Sequence, residues 1–152
     1  MNETEEFLAS VLPQQKEVEA ALHNGDAGPR MAFWSHNDPV TLFGALLNVN
    51  GWDEVGHSFE ELAKGFSGGS YDYELIASGA SGDLGYIAGT EHSTVSVNGE
   101  PPEAYELRVT TIFRREDGEW KEVHRHADPM PNSDSARRQL ARLDRMLSAN
   151  LR

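Results

Sequence analysis

Apolar positions recur at helical spacing over the first part of the chain and alternate thereafter. Phe7, Val11, Val18 and Leu22 share one face of a helix, with charged residues between them. Pro13 interrupts that stripe, which predicts either a kinked helix or a short helix followed by a longer one. His23-Asn24-Gly25-Asp26 supplies a terminating glycine and then an N-cap. A second short helix follows through Met31, Phe33 and Trp34 and stops near Asn37-Asp38-Pro39. Val40-Thr41-Leu42-Phe43-Gly44 reads as a short strand. From Trp52 to Phe66, the stripe Val55, Phe59, Leu62 and Ala63 predicts a third helix.

Beyond Gly68-Gly69 the period becomes two. Tyr71 to Ser78, Leu84 to Val97, Ala104 to Arg115 and Trp120 to Ala127 are the predicted strands. Asp83, Asn98-Gly99 and Asp117-Gly118 provide the turns between them, and Pro101-Pro102 widens one hairpin tip. A last helix, capped near Asn132 or Ser133, carries Ala136, Leu140, Leu143, Leu147 and Leu151 on its apolar side. Helices first and antiparallel strands afterwards make an α+β domain, with residues 133–152 as a helical extension of the unit formed by 1–132.

Composition narrows the function classes. The 152 residues hold 25 acidic and 13 basic side chains and no cysteine, for a net charge of −12. A chain of this length is most simply one domain. Cysteine-ligated metal, a thiolate nucleophile and a disulfide framework are excluded. So strong an acidity argues against nucleic acid or anionic membrane as partner, because phosphate binding needs clustered Lys and Arg. The N-terminus lacks the basic-then-apolar order of a secretion signal, and no apolar run is long enough for a transmembrane helix. A cytoplasmic protein is the expectation. Charge is also uneven: residues 1–26 sum to −5 and residues 133–152 to +3, so the two ends can attract each other or a second copy.

Alternation along the last strand directs attention to its polar side chains. Trp120, Glu122, His124, His126 and Asp128 fall on one face, and Lys121, Val123, Arg125 and Ala127 on the other. On the neighbouring strand, Arg108, Thr110, Ile112 and Arg114 oppose Leu107, Val109, Thr111 and Phe113. Three readings of the two histidines stand open. His-x-His can begin a metal site, with His92, Glu122 or Asp128 as further ligands. A histidine oriented by a carboxylate can do acid–base work. Alternatively, the group is a hydrogen-bonded cluster that fixes the strand pair. Phe33, Trp34, Phe43, Trp52, Phe59 and Phe66 are read first as core, while Trp34, His36 and Asp38 stand where a cavity rim would lie, with Asp38 read first as the cap of a turn. Neither Ser67-Gly68-Gly69-Ser70 nor Ser78-Gly79-Ala80-Ser81-Gly82 has phosphate-loop spacing, and each leads into a strand. No Gly-x-Ser-x-Gly elbow occurs.

The stretch from Arg108 through Thr110, Arg114, Arg115, Asp117, Gly118 and Trp120 to His124 and His126 resembles the closing hairpin of SnoaL-like proteins. These belong to the nuclear transport factor 2-like and ketosteroid isomerase-like superfamily. The Asn24-Gly25-Asp26 break, the Asp38-Pro39-Val40 strand entrance and the Trp52-to-Phe66 helix follow in the same order, so the resemblance spans roughly residues 5–130. It implies a cone, the cystatin-like roll, in which a strongly curved antiparallel sheet wraps around N-terminal helices and leaves a pocket inside. Members are often homodimers through the convex sheet. They include isomerases, cyclases, dehydratases and non-catalytic association modules, so the fold alone assigns no activity.

Positions that carry the steroid isomerase machinery fall, by counting from the shared motifs, at Val18, Phe43 and Thr110. None is acidic, and that mechanism is not expected. The implied site instead draws on His124 or His126 as acid/base, Asp128 to orient them, and Arg108 to bind a carboxylate or steady developing negative charge. Trp34, His36, Phe43, Trp52, His92, Thr110 and Trp120 are the expected ligand contacts. The expectation is a pocket for a small, partly apolar organic molecule in a homodimer, with no cofactor and no metal. Its chemistry would be a cyclisation, isomerisation or dehydration, and the alternative is a binding or association module without chemistry. The last helix is expected at an interface or on the surface, packed through Leu140, Leu143 and Leu147.

Overall fold

The computed structural model describes residues 1–150. Helix α1 (Glu3–Leu22) starts at Asn2, whose side chain accepts from the Glu5 N–H at 2.8 Å. It runs through Pro13 without a break. The buried stripe Phe7, Val11, Gln15, Val18, Glu19 and Leu22 holds both halves on one line against the sheet, outweighing the roughly 3 kcal/mol that an interior proline costs. Gly25 turns the chain at a φ of 90°. Asp26 then accepts from the Gly28 N–H at 3.0 Å, and α2 (Gly28–Phe33) follows.

Strands β1 (Thr41–Phe43) and β2 (Asn48–Asn50) form a small hairpin before α3 (Trp52–Gly65). Three residues of alternating Asn and Val are too short to show a period, so β2 escapes sequence reading. The long strands are β3 (Phe66–Ser81), β4 (Leu84–Val97), β5 (Glu103–Glu116) and β6 (Glu119–Pro129). The sheet order is β2-β1-β6-β5-β4-β3. It is not wholly antiparallel: β1 lies parallel to β6, with Thr41 beside His124 and Phe43 beside His126. The two strands are far apart in sequence, so no hairpin dictates their sense.

Register shifts bend the sheet into the expected cone. Between Ser67 and Ser70, Gly68 and Gly69 form a bulge inside β3, which therefore begins five residues before the predicted start. A side chain on Gly69 would meet the His23 backbone at 2.5 Å, so glycine lets β3 and α1 touch. A second shift separates Leu75 from Ala77, and a third places Ile112 opposite His124 but Phe113 opposite Glu122. Val123 is the extra residue of that bulge.

Helix α4 (Asp134–Asn150) begins at Ser133, whose hydroxyl accepts from the Ala136 N–H at 3.2 Å. Its side chains Ala136, Leu143, Met146 and Leu147 are buried against this same chain, where the helix packs on β5, β4 and α3. The expectation of an interface or surface role for Leu140, Leu143 and Leu147 is thereby corrected. Leu151 lies outside the described residues. Gln139, fully buried, donates to the carbonyls of Val95 and Glu103 at 2.8 Å. Exposed Arg138 and half-buried Arg142 add ion pairs to Glu103, and Arg142 reaches Glu100 at 2.8 Å. No helix among the described residues is long and apolar enough to cross a membrane.

Candidate functional site

The interior of the cone carries a charged network that no sequence motif announced. Glu19 lies on the last turn of α1 and His23 caps that helix one turn later, Arg30 is on α2, Glu91 on β4, and Glu122 and Arg125 on β6, all buried. Arg30 forks Glu19 through Nε, at 2.7 Å, and through Nη2. Its guanidinium also lies over the Phe59 ring, 4.7 Å from the centroid. Arg125 forks Glu91 with Nη1 and Nη2 at 2.7 and 2.6 Å and stands 3.7 Å from Glu19. Tyr71 donates to Glu91 at 2.9 Å and accepts from Gln15 at 2.8 Å. Two carboxylates and two guanidiniums thus pair off inside a leucine-rich shell, which a buried charge requires.

Electrostatics divide the carboxyl groups. Burial alone would raise the Glu19 carboxyl, but Arg30 and Arg125 beside it prevail and hold it down at about 2. Glu122 has no such fork. Burial, reinforced by the negative charge of Glu19, pushes it up to about 8 against the pull of Arg30 and Arg125. It therefore carries its proton at neutral pH.

His23 has a defined tautomer. Nδ1 lies 2.7 Å from the Glu19 carbonyl, which only accepts, so Nδ1 carries the hydrogen. Burial pushes the imidazole below its ordinary value, more than Glu19 raises it, so the ring is neutral. Nε2 then accepts from the Tyr105 hydroxyl at 2.6 Å. Burial first, and then Glu91 and Glu19, raise that phenol, which stays protonated. The pair can take a proton on His23 Nε2 and deliver one from Tyr105.

His23, Tyr105, Arg30 and Arg125 border one cavity of about 80 Å³. Its other walls are apolar: Leu22, Leu42 and Phe66 from the body of the cone, Leu46 and Leu47 from the β1–β2 loop, and Leu140, Leu143 and Leu147 from α4. A cavity of roughly 150 Å³ holds benzene, so a guest of that size requires the α4 leucines or the loop to yield.

The residues expected to form the site lie elsewhere. Arg108, Thr110, His126 and Asp128 do come together, bordering a shallow groove of about 330 Å³, but on the outer face of the sheet. His126 stands 3.8 Å from Asp128. His124 also faces outward, 2.6 Å from the Thr41 hydroxyl, with Phe43 edge-on to both histidine rings. His92, on the same face, sits between Glu74 and Glu106 at 3.2 and 3.1 Å. Trp34 is core, packed on Phe59, and Trp120 is core beside Phe7. His36 stacks on Trp52 at 3.8 Å at the surface, and Asp38 caps α3 through the Trp52 N–H. Phe43 and Thr110, counted as steroid isomerase positions, share the outer face, and Val18 packs in a core cluster away from the cavity.

The face assignment failed on both strands of the closing hairpin. The bulge at Val123 shifts the alternation, so Trp120 and Glu122 point inward and His124, His126 and Asp128 outward. On β5, which has no bulge of its own, the predicted division between Arg108 and Leu107 holds, but the side of Arg108 and Thr110, expected to line the pocket, faces out. Two signals were available for the missed residues. Glu19 continues the buried stripe of α1, and Arg125 alternates with Val123 and Ala127 on the strand side that received no functional reading.

A curved sheet over three helices, enclosing a polar cluster and an apolar cavity, is the nuclear transport factor 2-like fold. The chain belongs to the SnoaL-like domain family, whose profile matches residues 16–132. Similar solved structures include a proposed dehydratase of the nuclear transport factor 2-like family from Streptomyces avermitilis. It is 19% identical, with a TM-score of 0.69 over 83% of this chain and 97% of that one. A proposed scytalone dehydratase from Novosphingobium aromaticivorans is 13% identical, with a TM-score of 0.71 over 82% and 84%. A ketosteroid isomerase-like protein from Erwinia carotovora atroseptica is 15% identical, with a TM-score of 0.67 over 86% and 98%. These similarities establish the fold. Comparison with curated proteins finds none that matches.

Proposed function

We propose that this protein binds a small, partly apolar organic molecule inside the cone and moves a proton on it, with His23 and Tyr105 as the acid–base pair. The observation that carries this reading is the 2.6 Å contact between His23 Nε2 and the Tyr105 hydroxyl at the edge of an apolar cavity. Neutral imidazole and protonated phenol are the forms needed to abstract a proton beside a carbonyl and return one to oxygen. Isomerisation, dehydration and cyclisation share that step. The dehydratase assignments of two structural relatives support the same class. The catalytic roles first considered for His124, His126, Arg108 and Asp128 pass in this reading to the interior residues.

The test is hydrogen–deuterium exchange at the carbon beside the carbonyl of small ketones and esters, followed by NMR in heavy water. The wild-type protein should accelerate exchange, and Tyr105→Phe and His23→Gln should each lower the rate by about 10²–10⁴-fold. Binding without exchange would favour a second reading, a ligand-holding or association module without chemistry. The small cavity of about 80 Å³ is the observation on that side.

Self-association through the outer sheet face belongs to the same proposal, as does a cytoplasmic setting. Ile76, Leu84, Tyr86 and Phe43 stand 67%, 56%, 43% and 39% exposed on or beside that face. Light scattering should give a dimer mass for the wild type and a monomer mass for Tyr86→Arg or Ile76→Asp.

A further inference from the structure

We infer that the guest of the interior cavity is an uncharged molecule bearing a hydrogen-bonding oxygen, because each guanidinium that borders the cavity is already forked by its own carboxylate. This rests on the cavity being the ligand site.

Arginines at the edge of a pocket ordinarily suggest an anion, and Arg30 and Arg125 both border this one. Their hydrogen bonds point to the opposite conclusion. Arg30 gives Nε and Nη2 to Glu19, and Arg125 gives Nη1 and Nη2 to Glu91. The charges of the four groups sum to zero within the buried cluster. His23 adds none, since its Nδ1–H is committed to the Glu19 carbonyl and its Nε2 to the Tyr105 hydroxyl.

An entering carboxylate or phosphate would bring an uncompensated negative charge beside Glu19 and Glu91. Each guanidinium keeps N–H groups outside its fork, but its charge is already matched. An anion using them leaves the cluster one negative charge in excess unless it displaces a carboxylate and strands that one unpaired. The remaining walls, Leu42, Leu46, Leu47 and Leu143 among them, offer no compensating charge. A neutral guest meets none of these penalties. Its apolar part lies against the leucines, and its oxygen can stand between Tyr105 and His23, accepting the Tyr105 hydrogen and, where it is a hydroxyl, donating its own to the Nε2 that this frees.

Isobutyramide and isobutyrate test this directly. They share size and shape, and at neutral pH only the second is charged. With leucine methyl groups labelled in the full chain, isobutyramide should shift the Leu22, Leu143 and Leu147 resonances saturably. Isobutyrate should bind at least roughly tenfold more weakly. Equal or tighter binding of isobutyrate at those methyls would overturn the inference while upholding the cavity as the ligand site. No shift at those methyls with either probe would overturn both.

Discussion

Glu122 and His124 are two residues apart on β6, yet their side chains lie on opposite faces of the sheet. Glu122 is 4% exposed inside the cone, while His124 stands outside against Thr41. The bulge at Val123 separates them, and with them the interior cluster from the outer groove. A single extra residue therefore decides which titratable groups of β6 face the interior.

Glu122 should make the protein less stable as pH rises. Its folded pKa, about 8, lies above the ordinary value of 4.5, so between these limits the folded state holds the extra proton. The stability linked to that proton is fully present below about pH 4.5 and lost as pH rises through about 8. Glu122→Gln removes this dependence. Denaturant midpoints should favour the variant by more at about pH 9 than at about pH 5, with a difference of a few kcal/mol at most.

His23 should act in the opposite direction. Its folded pKa is depressed by burial, so below the ordinary value of 6.5 the unfolded chain binds the proton first and stability falls with acid. His23→Gln keeps an acceptor for Tyr105 and lacks the titration. The wild-type midpoint minus that of the variant should therefore decline as pH drops below about 6.5. A constant difference would show that His23 does not titrate as described.

Arg125 should be far harder to remove alone than with its partner. Arg125→Met leaves Glu91 buried without its fork and should cost about 3–5 kcal/mol in urea unfolding. Adding Glu91→Leu removes the stranded charge, and the double variant should recover most of that loss. Additive losses would contradict the pairing.

The seating of α4 depends on the absence of a side chain at Gly65. A Cβ there would collide with the Met146 sulfur and meet Asn98 Oδ1 at 3.0 Å. Gly65→Ala should destabilise by about 1–3 kcal/mol, and Met146→Ala should relieve part of the effect when the two are combined. Leucine methyl spectra of Leu143 and Leu147 should report the displaced helix.

Local pattern was enough for the helices, the four long strands and the order in which they follow, because period and turn chemistry are properties of neighbouring residues. The hairpin residues also carried the family. Pro13 shows the first limit, since only packing of the Phe7-to-Leu22 stripe keeps α1 whole across it. The site shows the second. Glu19, His23, Arg30, Glu91 and Arg125 come from four separate elements, and nothing in their spacing says that they meet. Which face of β6 points inward was settled by strand pairing: β5 matches Phe113 to Glu122 and Ile112 to His124, leaving Val123 without a partner of its own. Alternation along one strand is a local property, but the interruption of it is imposed by the neighbouring strand, and only the folded sheet contains both.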